Sequence, residues 1–313
     1  MAVPKGFSVK ATVAELMATC LFVFIGTGAA VTFSSVNGPA GWGLSRPKGI
    51  GEGVAPGQEL QYLVSELDFI ANNLLRNPSW GVITALAFGL AITVLAYATG
   101  HLSGGQMNPA VTFGLVGVGA LNPIQGFANL CAQIVGAILG SAFLMGVIPD
   151  GHNSALGSNR VAPGVSNGNA FLGEAVMTFV LVSVVLETAI NHKSITIRQQ
   201  APLAIGFAVF TAHAVLLPID GCSINPARSL GPAIVSGTWP GNFWIFVVGP
   251  FVGALFAIPF HLFWRSDFDS MKSGDPVSLE PTGPSLTEKG TLSSGDPVNL
   301  VGPDSPAPKS AEP

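Results

Sequence analysis

The chain has 313 residues, of which 49% are hydrophobic and only 10% are charged. A soluble domain carries about 25% charged residues, so this chain lacks the polar surface that would keep it dispersed in water. The formal net charge of −4 belongs to the segment after Trp264, where four basic residues face eight acidic ones. The composition therefore predicts an integral membrane protein, and the neutral body with its acidic tail gives no sign of a nucleic-acid partner.

Six apolar stretches follow one another along the chain, at about 12–33, 80–99, 124–148, 169–190, 201–219 and 242–264. Each has about the 20 residues that an α-helix needs to cross a hydrocarbon core of ~30 Å. The alternation of polar and apolar positions that indicates a membrane barrel is absent from these stretches. The sequence therefore predicts an all-α membrane protein with six transmembrane helices.

Three segments lie outside the predicted channel domain or interrupt it. Residues 1–11 form a short N-terminal tail, and 34–79 form a long first loop. Apolar residues from Leu60 to Leu74 are spaced for an amphipathic helix, which we expect to pack on the outer face; a gating or partner role is the alternative. Residues 265–313 are rich in Pro, Gly and Ser, which predicts a disordered acidic tail. The loops on the same side of the membrane as the N-terminus carry a small excess of Lys and Arg over the loops on the other side. This excess predicts that both termini are cytoplasmic and that the long loop is extracellular.

The channel domain, residues 12–264, contains an internal repeat with halves at about 12–148 and 169–264. HLSGGQMNPA at 101–110 matches PIDGCSINPA at 218–227, and each sequence follows an apolar span. With three spans in each half, the halves must have opposite orientations in the membrane. The sequence therefore predicts an inverted repeat.

The strongest signal is a pair of Asn-Pro-Ala triplets at matching places in the halves, namely Asn108, Pro109 and Ala110, and Asn225, Pro226 and Ala227. Asn is a favoured N-cap and Pro suits the first helical position, so each triplet predicts the start of a helix. The segments that follow, at about 108–117 and 225–235, are too short to cross the bilayer. We therefore expect two re-entrant half-helices, which are tolerated at membrane depth only where protein buries them or water lines them.

The inverted geometry brings the N-termini of the two half-helices together near the membrane midplane. Each N-terminus carries about half a positive charge, so a cation or a proton meets two positive ends there. A neutral dipolar molecule can instead use the asparagine amides. The pattern predicts a pore for neutral solutes; an ion- or proton-coupled transporter built on inverted repeats is the alternative.

Arg228 follows the second triplet within the first helical turn, where the helix dipole repels a cation. A local rule broken in this way often marks a functional position. The corresponding residue in the first half is Val111, so Arg228 predicts a constriction on one side only. Pairing of this arginine with a nearby carboxylate such as Asp220 is the alternative, and the two interpretations are compatible.

The paired triplets, Arg228 and the sequence HLSGGQMNPAVTFG at 101–114 together resemble the aquaporin (major intrinsic protein) family over about residues 8–266. The resemblance implies an aquaporin-like fold of six transmembrane helices and two re-entrant half-helices. It also implies a homotetramer with one pore in each protomer.

Position by position, the resemblance implies an aromatic/arginine selectivity filter made of Phe88, His213, Cys222 and Arg228. This combination is typical of water-selective members. Glycerol facilitators usually have a small residue at the place of His213 and Asp after the arginine, where this chain has Ser229. The resemblance therefore implies selectivity for water over glycerol.

Two carboxylates, Glu15 and Glu174, open the first span of each half. A buried carboxylate in a span must accept hydrogen bonds. The resemblance suggests that they hold the backbones of the two re-entrant loops and expose carbonyl groups to the pore. A proton relay is the other interpretation.

The sequence contains no nucleophile–base set, metal cluster or phosphate-binding loop, so we expect no enzymatic activity, no cofactor and no metal. The overall prediction is a passive water channel in the lipid bilayer, most simply in the plasma membrane. The alternatives are a channel for hydrogen peroxide, carbon dioxide, ammonia or glycerol, or a junctional membrane protein whose long loop is adhesive.

Overall fold

The computed structural model of the protein describes residues 4, 6–37, 79–149, 154–191, 194 and 196–265. The predicted amphipathic helix in the first loop and the predicted disordered tail lie outside these residues. The side chains of residues 34–37, 79, 80 and 265 also lie outside the description.

Six long helices account for most of the described chain: α1 (Val9–Asn37), α2 (Ser79–Thr99), α4 (Pro123–Val147), α5 (Asn167–Val185), α6 (Ala201–Asp220) and α8 (Ile245–Arg265). Two short helices, α3 (Pro109–Gly117) and α7 (Pro226–Ser236), follow the Asn-Pro-Ala triplets. Among the described residues, six helical segments are long and apolar enough to cross a membrane. This confirms the predicted all-α membrane fold.

The ends of some helices differ from the sequence prediction. Helix α1 begins at Val9, inside the predicted tail, and runs on to Asn37. Helix α8 begins at Ile245 rather than near 242, because turns hold the preceding segment, in which the Phe243 amide donates to the Pro240 carbonyl. Hydrophobicity alone misplaces such ends, since apolar residues occur in turns as well as in spans.

Helix α5 does not end as a regular α-helix. It passes into one turn of π-helix at Leu186–Ile190, in which the Asn191 amide donates to the Leu186 carbonyl over 2.9 Å. π-turns are rare in proteins and are frequently found at functional sites.

Close backbone contacts join the long helices in equivalent pairs, α1 with α4 and α5 with α8. Glycines permit these contacts: a Cβ atom at Gly140 would lie 2.2 Å from the Cys20 carbonyl oxygen, and one at Gly253 would lie 2.2 Å from the Ala175 carbonyl oxygen. These small residues therefore pack helices against each other within one protomer.

Each half-helix packs against a long helix of the other half. Helix α3 contacts α8, and α7 contacts α4. The two halves therefore interlock, and their re-entrant loops meet inside the helix bundle.

Candidate pore

The two asparagines of the triplets cap the half-helices. The Asn108 Oδ1 atom accepts the Ala110 amide at 2.9 Å, and the Asn225 Oδ1 atom accepts the Ala227 amide at 3.0 Å. Both asparagines have extended backbone, as N-cap residues do, and Pro occupies the first helical position after each.

The same two side chains also join the two loops. The Asn108 Nδ2 atom donates to the Ile224 carbonyl, and the Asn225 Nδ2 atom donates to the Met107 carbonyl, each at 2.8 Å. Each asparagine thus bonds the residue that precedes the other one, and the N-termini of α3 and α7 meet. An amide nitrogen carries two hydrogens, so one N–H of each asparagine is left for a solute.

Glu15 lies at the first of these loops. One of its carboxylate oxygens accepts the Ser103 hydroxyl at 2.6 Å and the Gln106 amide at 2.8 Å. The other accepts the Met107 amide at 2.7 Å and the Gln133 side chain at 2.8 Å. Four donors therefore surround a carboxylate that has no exposed surface.

Glu174 occupies the equivalent place at the second loop. Its two oxygens accept the backbone amides of Ser223 and Ile224, both at 2.6 Å. Ile224 has a φ of 45° and Met107 has a φ of 51°, values that are strained for residues with a side chain. Such strain costs about 1–3 kcal/mol per residue and persists only where surrounding contacts hold it. The carboxylates supply those contacts.

Three of the four predicted filter residues lie together. The Phe88 and His213 rings stack with centroids 4.1 Å apart and an interplanar angle of 23°. The Arg228 guanidinium carbon lies 5.0 Å from the centroid of the Phe88 ring, within reach of a cation–π attraction. The three residues are at most 2% exposed and come from α2, α6 and α7.

His213 is oriented by its own helix. Its Nδ1 atom lies 2.9 Å from the Val209 carbonyl, which only accepts, so Nδ1 carries the hydrogen. The Nε2 atom is buried and has no hydrogen-bond partner among the described residues. That atom is therefore free to bond a solute.

Arg228 is held by backbone carbonyl groups. Its guanidinium donates to the Gly157 carbonyl at 2.8 Å and to the Gly221 carbonyl at 3.3 Å. Asp220, the carboxylate considered above as a partner, accepts the Cys222 amide at 2.9 Å. Gly157 was missed by the sequence analysis, because nothing in the sequence indicates that the turn at Ser154–Gly157 reaches the second half-helix.

Cys222, the fourth predicted filter residue, lies in the loop between α6 and α7. Its side chain is fully buried, and its backbone is left-handed with a φ of 54°. It follows Gly221, whose carbonyl accepts a hydrogen bond from Arg228. Cys222 therefore adjoins the predicted constriction at Phe88, His213 and Arg228.

A cavity of about 30 Å³ is lined in part by the two asparagines. Because one water needs about 10–15 Å³ of such space, the cavity can hold about two waters. Its described walls include Asn108, Asn225, His213, Phe22, Gly104, Gly105, Ala189 and Ile190. Phe88, Cys222 and Arg228 are not among the described wall residues, so the cavity reaches the constriction only at His213.

The sequence analysis also missed a set of buried amides on α4. Gln125, Asn129 and Gln133 are fully buried and lie four residues apart, on one face of the helix. Asn129 donates to the Gln106 side chain at 3.0 Å, and Gln133 donates to Glu15. Three amides at this spacing in an apolar span are a signal that could have revealed them, since polar groups in spans are rare and usually functional.

In the part of the chain that the structure describes, six spans, two half-helices that meet inside the bundle and a cavity at their meeting point define a membrane channel of the inverted-repeat type. Comparison with known families agrees, because the model for the major intrinsic protein family matches residues 3–261. The chain belongs to the major intrinsic protein family.

Individual relatives support the assignment. Aquaporin-1 of Rattus norvegicus is 36% identical and aquaporin-1 of Homo sapiens is 35% identical, each over 249 residues that cover 80% of this chain and 79% of the relative. An X-ray structure of the aquaglyceroporin from Plasmodium falciparum has the same fold, with a TM-score of 0.61 at 20% identity, covering 85% of this chain and 99% of that one. The protein is therefore a multi-pass membrane channel for water or small solutes.

Proposed function

We propose that the protein is a passive water channel that conducts water in single file and excludes protons and ions. The observation that carries this proposal is the reciprocal bonding of Asn108 and Asn225, which brings two helix N-termini together at a cavity with room for about two waters. The 35–36% identity to mammalian aquaporin-1 supports the same conclusion.

The pore walls alternate apolar surface with a few polar groups. Water in the cavity meets the backbone of Gly104 and Gly105 and the remaining N–H groups of Asn108 and Asn225, since all four residues line it. These donors orient the water oxygen toward the two helix N-termini. A proton carried along the file meets two positive dipole ends there and the charge of Arg228 beyond, so its passage is opposed twice.

Selectivity for water over glycerol follows in this proposal from the constriction. The rings of Phe88 and His213 stack, and the Arg228 guanidinium lies against the Phe88 ring. We propose that Cys222 completes the constriction, which it adjoins through Gly221. A three-carbon solute needs more room beside these three side chains than water does.

The assembly and location belong to the same proposal. Large apolar side chains are exposed on all six spans, among them Met17, Leu90, Phe143, Leu172, Phe207 and Phe256, which suits a lipid or protein-facing exterior. We propose a homotetramer with one pore per protomer, in the plasma membrane, with both termini in the cytoplasm. In each protomer, the residues that hold the two re-entrant loops together are Asn108, Asn225, Glu15 and Glu174. The channel needs no cofactor or metal.

Stopped-flow light scattering on proteoliposomes tests this function. An osmotic gradient of an impermeant sugar should shrink vesicles containing the protein much faster than empty vesicles, with a low activation energy. A glycerol gradient should give equal re-swelling in both. Equal shrinkage would contradict the water channel, and fast re-swelling would identify a channel for larger neutral solutes.

A further inference from the structure

We propose that Glu187 and His261 are positioning residues for the pore: their contact holds the π-turn that rotates Ile190 into the pore wall. This inference rests on the proposed function only for its effect on flux. It concerns the part of the cavity wall formed by the end of α5 and its π-turn, where Val185, Ala189 and Ile190 line the cavity.

The wall of the cavity contributed by α5 shows why the π-turn matters. Leu181, Val185 and Ala189 line the cavity and lie four residues apart, so they share one face of the helix. Ile190 lines it too. At about 100° per residue, an α-helix would turn Ile190 about 180° away from Leu181, onto the opposite face. Because the π-turn advances less per residue, it brings Ile190 back toward the cavity.

Two side chains fix the outer side of this turn. One Glu187 oxygen lies 2.8 Å from His261 Nδ1, and the other accepts the Asn191 side chain at 2.6 Å. A carboxylate only accepts, so Nδ1 of His261 donates. His261 is fully buried on α8, whereas the Glu187 side chain is 30% exposed.

Arg198 closes the turn from its other end. Its guanidinium donates to the Ile190 carbonyl at 3.3 Å and to the Asn191 carbonyl at 3.2 Å. Carbonyl groups at the end of a helix otherwise have no partner within it. Hydrogen bonds therefore connect the turn to α8 through Glu187 and to the following segment through Arg198. Neither of these contacts takes part in water conduction itself.

The geometry predicts what happens when the hydrogen bond between Glu187 and His261 is lost. A π-turn is less favourable than an α-helical turn and needs tertiary contacts to persist. Without the donor at position 261, the turn relaxes toward α-geometry and Ile190 leaves the cavity for the outer face. The pore end then loses an apolar side chain and widens.

Thiol labelling tests this rotation without any need for water flux. Ile190→Cys is made in the native protein and together with His261→Phe, which removes the donor, or His261→Asn, whose amide nitrogen replaces Nδ1. A small water-soluble thiol reagent should modify the introduced thiol at the same rate in the native and Asn backgrounds, and about tenfold more slowly with Phe, because thiolates react where water reaches them. Labelling of the protein without the introduced cysteine is subtracted, which corrects for reaction at Cys20, Cys131 and Cys222.

Glu187→Met provides a second route if His261→Phe fails to fold. It removes the acceptor at the partly exposed partner, where a change of polarity is tolerated, and should slow labelling at position 190 in the same way. Leu262→Phe, an exposed neighbour of His261 on α8, is the control and should leave the rate unchanged. Equal rates in the native, Phe and Met backgrounds would overturn the inference.

A comparison of water permeability in two single variants and their double variant then distinguishes positioning of Ile190 from a general loss of stability. Ile190→Ala and His261→Phe should each raise water permeability per channel by about twofold, since each removes the same side chain from a single-file pore. The double variant should rise no further. Independent, multiplying effects would show that His261 does not act through Ile190, whereas absence of water flux in the native protein would contradict only the proposed function.

Discussion

The imidazole of His213 combines two features that make it the best single test of the constriction. Its ring covers Phe88 face to face, and its Nε2 atom is buried without a partner among the described residues. An unpaired buried nitrogen costs about 1–3 kcal/mol, which a passing solute can recover by donating a hydrogen bond to it. The ring therefore both narrows the pore and supplies a polar group to it.

His213→Gly should raise glycerol permeability by about tenfold while water permeability stays within about twofold of native, because the change removes the stacked ring and leaves the asparagines in place. Glycerol re-swelling of proteoliposomes measures the first and osmotic shrinkage measures the second. His101→Gly, at an exposed position in the loop before the first triplet, is the matched control. Unchanged glycerol exclusion would remove His213 from the filter.

Cys222 leads to a test with a chemical reagent. A small mercurial should inhibit water flux by binding this thiol beside Gly221, whose carbonyl holds Arg228. Cys222→Ser should abolish the inhibition, whereas Cys131→Ser, at an exposed thiol on α4, should leave it intact. Because Cys222 is fully buried, inhibition should develop slowly. Inhibition that survives Cys222→Ser would show that this thiol does not adjoin the pore.

At several places the long helices approach each other by backbone contact at glycines. Gly253 is the clearest case, since a Cβ atom there would lie 2.2 Å from the Ala175 carbonyl oxygen and 2.7 Å from the Phe179 nitrogen. Backbone atoms cannot move aside as a flexible side chain can. The approach of α8 to α5 therefore depends on this residue.

Gly253→Ala should destabilise the protein by about 1–3 kcal/mol, the usual cost of overpacking a close contact. The midpoint of thermal unfolding in detergent should fall by several degrees. Gly146→Ala on α4 is the matched control, because a Cβ atom there meets nothing within 4 Å. If both variants unfold at the native temperature, the contact between α5 and α8 is looser than described.

The sequence predicted the long helices and the two half-helices well because span length and the Asn-Pro caps are local signals. It did not predict the Gly157 carbonyl that binds Arg228, since that contact joins residues 71 positions apart. Nor did it predict the π-turn at Leu186–Ile190, because a residue on α8 holds it. Contacts of this kind depend on how the halves interlock, which single-sequence patterns do not record.

At the level of the whole chain, channel and tail are separate in sequence. The interlocked spans end at Arg265, and the segment beyond it is acidic and rich in Pro, Gly and Ser. Deletion of residues 276–313 should leave the thermal unfolding midpoint and the water permeability per channel unchanged, since such segments rarely contribute to a packed core. A several-fold change in permeability would instead reveal that the tail regulates the pore.

The central claim is that one pore passes water and stops protons, and simultaneous measurement of both fluxes in one vesicle preparation tests it most directly. Proteoliposomes loaded with a pH-sensitive dye are exposed to an osmotic gradient and to a pH gradient, with light scattering and fluorescence recorded together. The account predicts rapid shrinkage with proton entry equal to that of empty vesicles. Proton entry that rises in proportion to water flux would contradict it.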